Sequence, residues 1–206
     1  MTTDFDPTDR EAHLREAQQS VIREQIDHRV NTFTAKRPKR FAAEGTLDPR
    51  LLAWCRALYK GDAGSLVLAG GIGAGKTWSL WKSGETLIRA GWKGRFEVVE
   101  AYDLKRAARN RDEEQLARWT KADMLAIDDI GAVGLQDWDS DNLHTIINDR
   151  WKHGLPIALT ANMTADADGK AHPEDLKTLV GPRAASRLQD EATFIVLRGD
   201  DRRRTA

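Results

Sequence analysis

Eight residues, Gly70-Gly71-Ile72-Gly73-Ala74-Gly75-Lys76-Thr77, constrain this chain more than any other feature. They satisfy G-x-x-x-x-G-K-[ST] without a gap, the Walker A pattern. The apolar run Leu66 to Ala69 leads into them, and a helical pattern over residues 77–90 leads out, closed by Gly91. That strand–loop–helix context is what the chemistry requires. Glycines let backbone N–H groups turn inward with no Cβ in the way, and the helix N-terminus completes an anion nest. Lys76 is expected to reach the β- and γ-phosphates of ATP, and the Thr77 hydroxyl to ligate Mg2+.

The rest of the chain repeats the same alternation. Short apolar strands are expected at 96–99, 124–127, 157–160 and 193–197. Helices are expected at 51–59, at 103–120 with a break near Asn110, at 141–152, 174–180 and 183–188. Strands alternating with helices at this spacing predict an α/β fold, a five-stranded parallel sheet flanked by helices. The chain stops soon after the fifth strand, so a full C-terminal helical lid is not expected.

A second motif lies downstream. Met124 to Ile127 is an apolar strand ending in Asp128 and Asp129, the form of a Walker B motif. Parallel sheets place ligands at such strand ends. Asp128 is expected to hold magnesium and Asp129 to polarise the attacking water, although a glutamate is commoner there and reaches further. The strand at 96–99 lies between the two motifs. That arrangement points to motor-type ATPases, where the Walker B strand is not adjacent to the P-loop strand. It argues against a small-molecule kinase, as does the want of an acceptor pocket or arginine lid. Thr160-Ala161-Asn162 ends the fourth strand, so Asn162 is placed to orient the lytic water. Arg183 and Arg187 lie four apart after Gly181-Pro182, on one helical face. Either can present a guanidinium to a neighbouring subunit's γ-phosphate.

Residues 8–33 read as one helix, with Thr8 or Asp9 as its cap. Ile22, Ile26, Val30 and Phe33 form a thin apolar stripe that Leu14 and Gln18 extend backwards. Such a stripe on a highly charged helix suits docking on something else rather than a place inside a core. Ala35 to Arg40 contains Pro38 and reads as a linker. The chain is therefore divided into residues 1–40, a docking helix and linker, and residues 41–206, the ATPase core.

Composition sets the outer limits. With 206 residues, 40% of them hydrophobic, there is material for one full core. A formal net charge of zero argues against coating nucleic acid by bulk charge. A local basic strip is still available: Lys105, Arg106, Arg109 and Arg111 cluster after the second strand, and Arg202 to Arg204 near the C-terminus. Facing an oligomer pore, the first cluster would track a phosphate backbone. Most of the seven tryptophans should be core residues, with Trp119 or Trp138 as the expected exceptions. Cys55 is the only cysteine, which fits a small buried side chain in a reducing, cytoplasmic setting. No apolar run approaches the roughly 20 residues needed to span a membrane, and the N-terminus lacks a signal-peptide pattern.

Together these motifs resemble the DnaC/IstB-like branch of AAA+ ATPases, the bacterial and phage helicase loaders and transposition helpers. The resemblance covers roughly residues 38–206. It is carried by Pro38-Lys39-Arg40-Phe41, the P-loop, Ala101-Tyr102-Asp103-Leu104 and Ile127-Asp128-Asp129-Ile130-Gly131. Ile147-Asn148-Asp149-Arg150-Trp151, Leu159-Thr160-Ala161-Asn162 and Ser186-Arg187-Leu188 complete it. It implies that Asn162 is sensor 1 and that Arg187, rather than Arg183, is the arginine finger. Trp78, where the family often has histidine, joins the nucleotide-binding set. The resemblance also implies ATP-dependent self-oligomers, single-stranded DNA along their inner surface, and a DnaB-like replicative helicase as partner. The alternative within the family is a transposition helper that assembles on duplex DNA. Family loaders usually carry a larger N-terminal domain than the 40 residues found here.

Overall fold

Side chains of successive strand residues point to opposite faces of a sheet, so a strand apolar at every position must be covered on both sides. The strand before the P-loop is of this kind. Leu66 and Leu68 enter one buried cluster, Val67 and Ala69 another. The computed structural model describes residues 7–132, 140–163, 173–190 and 192–198. It contains five strands, β1 (Leu66–Gly70), β2 (Phe96–Glu100), β3 (Met124–Asp128), β4 (Ile157–Ala161) and β5 (Thr193–Leu197). They form one sheet in the order β2-β3-β4-β1-β5, and every neighbouring pair is parallel.

The Walker B strand β3 is therefore not adjacent to the P-loop strand β1, as expected. The separating strand is β4, which follows Asp128 in the chain. Strand β2, which lies between the motifs in sequence, takes the sheet edge.

The helices are α1 (Pro7–Thr34), α2 (Pro49–Lys60), α3 (Lys76–Arg89), α4 (Ala101–Arg109), α5 (Glu113–Thr120), α6 (Ser140–Lys152), α7 (Pro173–Val180) and α8 (Pro182–Gln189). Residues of α1, α2 and α3 pack with Leu66, Leu68, Met124 and Ile195 on one face. Residues of α4, α6, α7 and α8 pack with Val67, Leu125, Leu159 and Val196 on the other. Asp48 caps α2 by accepting from Arg50 N at 2.9 Å, with Pro49 in the first turn. The break expected near Asn110 is present. Arg111 there adopts φ 53°, and Asp112 caps α5 by accepting from Gln115 N at 3.1 Å.

Helix α1 is buried along its C-terminal part only. Val30 and Phe33 are buried and Ile26 packs beside them, all in the cluster under α3. Phe33 lies against Gly84, where a Cβ would come within 2.4 Å of the ring. It also meets the rings of Trp81 and Phe96 at 5.1 and 5.9 Å. Arg29 ties this end down by donating to the carbonyls of Trp92 and Gly94 at 2.6 and 2.9 Å. The C-terminal third of the helix is thus core. Ile22 and Leu14, on the same apolar stripe, are 55% and 54% exposed. Every residue from 13 to 25 is exposed.

The segment after α1 is also fastened. Arg37 donates to buried Glu85 on α3 at 2.9 Å, and Arg89 does the same from the next turn. Burial pushes the Glu85 carboxyl up, but the hydrogen bonds of Arg89 and Arg37 and the charge of Lys82 outweigh it and hold the group below its ordinary value.

Of the tryptophans, Trp54 and Trp81 are buried, and Trp119 packs against the core instead of standing out. Among the described tryptophans the exposed one is Trp151, at 48%. Trp138 and Arg202 to Arg204 lie outside the described residues. Cys55 is buried, which pushes its thiol up to about 11. No helix among the described residues is long and apolar enough to cross a membrane.

One buried cation organises the start of the sheet. Arg150, on α6, is fully buried. It donates to the carbonyls of Thr120, Ala122 and Pro156 at 2.8, 2.6 and 2.7 Å. It thereby ties the end of α5 to the approaches of β3 and β4. Burial brings its guanidinium down to about 10, so it stays charged at neutral pH. Arg150→Met should strand these carbonyls and cost about 3 kcal/mol, read as a lower urea midpoint with unchanged m-value. A variant as stable as wild type would show the clamp to be dispensable.

Candidate nucleotide-binding site

The glycines of the P-loop have separate reasons to be there. Gly75 has φ 90°, a left-handed conformation, and forms the N-cap of α3 without any side-chain cap. The first amides of α3 are therefore left to a ligand. Gly70 has no room for a side chain, since a Cβ would sit 2.6 Å from the Leu197 carbonyl of β5.

Lys76 is buried beneath the loop. Its Nζ donates to the carbonyls of Gly70 and Gly71, both at 2.9 Å, and to Asn162 Oδ1 at 2.8 Å. The ammonium is thus held between the loop and the end of β4, the two elements expected to surround a γ-phosphate.

The acidic motif is joined to the loop by hydroxyls. Thr77 Oγ1 donates to Asp128 Oδ2 at 2.8 Å. Thr160, from the strand in between, donates to Asp128 Oδ1 at 2.5 Å and accepts from Asp129 N at 2.8 Å. Burial raises the Asp128 carboxyl, the hydrogen bonds of Thr160 and Thr77 lower it, Asp129 raises it and Lys76 lowers it; the net direction is upward. A buried carboxylate biased toward protonation beside a hydroxyl is an oxygen donor pair short of positive charge. That suits a hard divalent cation. Asp129 has φ 55°, unusual for a non-glycine residue, and its side chain is exposed.

Lys76, Thr77, Asp128, Asp129, Thr160 and Asn162 line one cavity of about 350 Å3 together with Ile72, Gly73 and Glu100. The separate motifs therefore converge. A second, adjoining pocket of about 550 Å3 runs along Gly73 to Trp78, including Ala74. Its opposite wall is Arg40, Phe41, Ala43, Glu44 and Gly45. Trp78 Nε1 donates to the Ala43 carbonyl at 2.8 Å, and the indole lies against Gly45, where a Cβ would meet it at 2.9 Å.

Sequence reasoning treated residues 35–40 as a linker and missed this wall; Phe41, an aromatic next to basic residues just before the core, was the available signal. It also missed Thr160 as the bridge and Glu100, which pairs in register with Asp128.

Two expected groups lie elsewhere. Arg187 lines a pocket with Ser65, Ile157 and Trp151, beside the first residues of β1 and β4. It stands at the end of the sheet opposite the P-loop. Arg183 is exposed on the first turn of α8. In the basic cluster on and after α4, Arg106, Arg109 and Arg111 are exposed and Lys105 is half-buried. Arg106 pairs with Asp103 at 2.8 Å.

A parallel sheet with β4 between the P-loop and Walker B strands, and a lysine, hydroxyl and carboxylate converging at its C-terminal end, define a P-loop NTPase of the AAA+ type. The profile of the IstB-like ATP binding protein family matches residues 14–179, and the chain belongs to that family. Among curated proteins no sequence match is found. Solved structures share the fold. The crystal structure of DnaI has 20% identity and a TM-score of 0.61, with 81% of this chain and 94% of that one covered. The crystal structure of the DnaC helicase loader has 20% identity and a TM-score of 0.61, covering 78% and 100%. AMPPCP-bound DnaA from Aquifex aeolicus has 20% identity and a TM-score of 0.58, covering 72% of this chain and 45% of that one.

Lys76→Ala should weaken binding of a fluorescent ATP analogue on the order of 100-fold, the scale of losing charge-assisted hydrogen bonds to phosphate. Retained affinity would separate this lysine from the nucleotide.

Proposed function

We propose that the chain is an ATP-hydrolysing switch that binds a replicative helicase and assists its loading on single-stranded DNA. The observation that carries this reading is the form of α1. Its C-terminal third is bolted to the P-loop helix α3, while residues 13–25 project with Leu14, Val21 and Ile22 exposed. An exposed apolar stripe attached to the helix that carries the P-loop suits a docking element that feels the nucleotide state. Likeness to the DnaC helicase loader supports the reading at the level of fold.

In this reading the P-loop amides and Lys76 grip the phosphates, while Thr77 and Asp128 hold magnesium. Magnesium, when bound, neutralises phosphate charge. Asp129 accepts the proton of the attacking water, and Asn162 orients that water. Trp78 and the wall of residues 40–45 enclose the base. Arg187, too far from its own P-loop, serves the nucleotide of a neighbouring copy. Lys105, Arg106, Arg109 and Arg111 track the DNA backbone.

The family match favours one other reading, a transposition helper that assembles on duplex DNA. The two separate by mass measurement of mixtures with the host's replicative helicase or with duplex DNA, each with and without ATP. A defined helicase complex supports the loader. Assembly on duplex alone supports the helper.

The docking test follows from α1 itself. Deleting residues 1–24 should abolish helicase binding and leave nucleotide affinity unchanged, because the buried residues from Ile26 onward remain. Retained helicase binding would move the docking surface elsewhere. Asp129→Asn should keep ATP binding and lower turnover by about 10²–10⁴, the usual contribution of a general base. Unchanged turnover would sink the base assignment.

A further inference from the structure

Trp151 is an exposed aromatic with no place in the core, yet its ring is held. Its Nε1 donates to Asp190 Oδ2 at 3.0 Å, and the Arg187 guanidinium carbon lies 5.6 Å from the ring centroid. Arg187 and Asp190 stand three residues apart at the end of α8, and both touch this indole. Arg187 nevertheless forms no ion pair with Asp190 or with any other described carboxylate.

We propose that Trp151 and Asp190 form a shelf that positions Arg187 for the nucleotide of a second copy of this chain. The inference rests on the reading of Arg187 as a finger acting in trans. Two physical points support it. Arg187 lies by the start of β1 and the P-loop at its end, about 17 Å apart at the rise of a five-residue strand, beyond the reach of an arginine side chain. Its target must belong to another molecule. The choice of partner is the second point. A carboxylate would occupy the guanidinium's fork and cancel its charge, whereas an aromatic face restrains the group and leaves all five N–H donors open for phosphate. The indole N–H has a further effect: by engaging Asp190 it keeps that carboxylate, three residues along the chain, from capturing Arg187.

The second copy's surface matches in charge. The rim of the nucleotide cavity carries the exposed carboxylates Glu100 and Asp129, opposite in sign to Arg183 and Arg187. One end of the sheet thus meets the other in a head-to-tail contact, the kind that builds rings or filaments.

The test uses mixed full-length chains. Lys76→Ala chains bind nucleotide about 100-fold more weakly but can donate a finger; Arg187→Ala chains bind nucleotide but lack one. Mixing them should restore ATP turnover that neither has alone. Adding Trp151→Ala to the Lys76→Ala donor should cut that rescue about tenfold, the scale of a lost cation–π restraint. Trp151→Phe in the donor should also lower it, because Asp190 is then released to pair with Arg187. Adding Asp190→Asn to the Trp151→Phe donor should bring rescue back to within about threefold of the parent donor, the residual ring contact being retained. A merely structural role for Trp151 would give no such reversal. If wild-type protein does not hydrolyse ATP, the proposed function fails. If it does and mixing restores nothing, the trans reading fails. If mixing works and donors with and without Trp151 rescue equally, or if Asp190→Asn does not reverse the Trp151→Phe effect, the shelf proposal fails.

Discussion

The direction of the five strands is the constraint on which the nucleotide site depends. In a parallel sheet all carboxyl ends lie along one edge, so Gly70, Asp128 and Asn162 arrive at the same edge without any loop having to travel. The insertion of β4 between β1 and β3 then decides the details. It puts Thr160 between the loop and the acidic pair, where one hydroxyl donates to Asp128 and accepts from the Asp129 amide. With β3 directly beside β1 there would be no residue in that position. Asp128 would keep only Thr77 as a partner, and the Asp129 backbone would lose the bond beside its strained conformation.

Helix α3 is shared by everything else. Its N-terminus opens onto the P-loop pocket, its first turn presents Trp78 to Ala43, and its middle accepts Phe33 at Gly84. Glu85 on the same helix secures Arg37. The candidate nucleotide pocket and the C-terminal third of α1 therefore rest on the same helix. The proposed switch has a short mechanical path: residues 40–45, which line the pocket beside the P-loop, follow directly on Arg37, the residue fastened to Glu85.

The two ends of the sheet carry different chemistry. The carboxyl end gathers carboxylates and the lysine that balances them. The amino end gathers Arg150, buried among carbonyls, and Arg187 on its indole shelf. The two arginines show how burial sorts similar side chains. Arg150 is enclosed and satisfied by backbone oxygens, so it braces the fold. Arg187 is half-buried on an aromatic face with its donors open, which suits contact with another molecule.

The meeting of Lys76, Thr77 and Asp128 at one cavity was legible in the amino-acid sequence, because both motifs follow the carboxyl ends of buried parallel strands. The alternation of apolar runs and helical patterns likewise specified five buried strands, since a strand without polar positions has only one stable environment. The break at Asn110 was legible too. What could not be read were contacts between positions distant in the chain. Trp78 meets Ala43 across 35 residues, and Thr160 meets Asp128 across 32. Nothing in local spacing signals either pairing. Periodicity marked Leu14, Ile22 and Phe33 as one stripe of α1, but of these only Phe33 is buried, in the cluster that includes residues of α3. Which apolar residues of a helix are buried depends on where its partner ends, and the tertiary structure alone decided that.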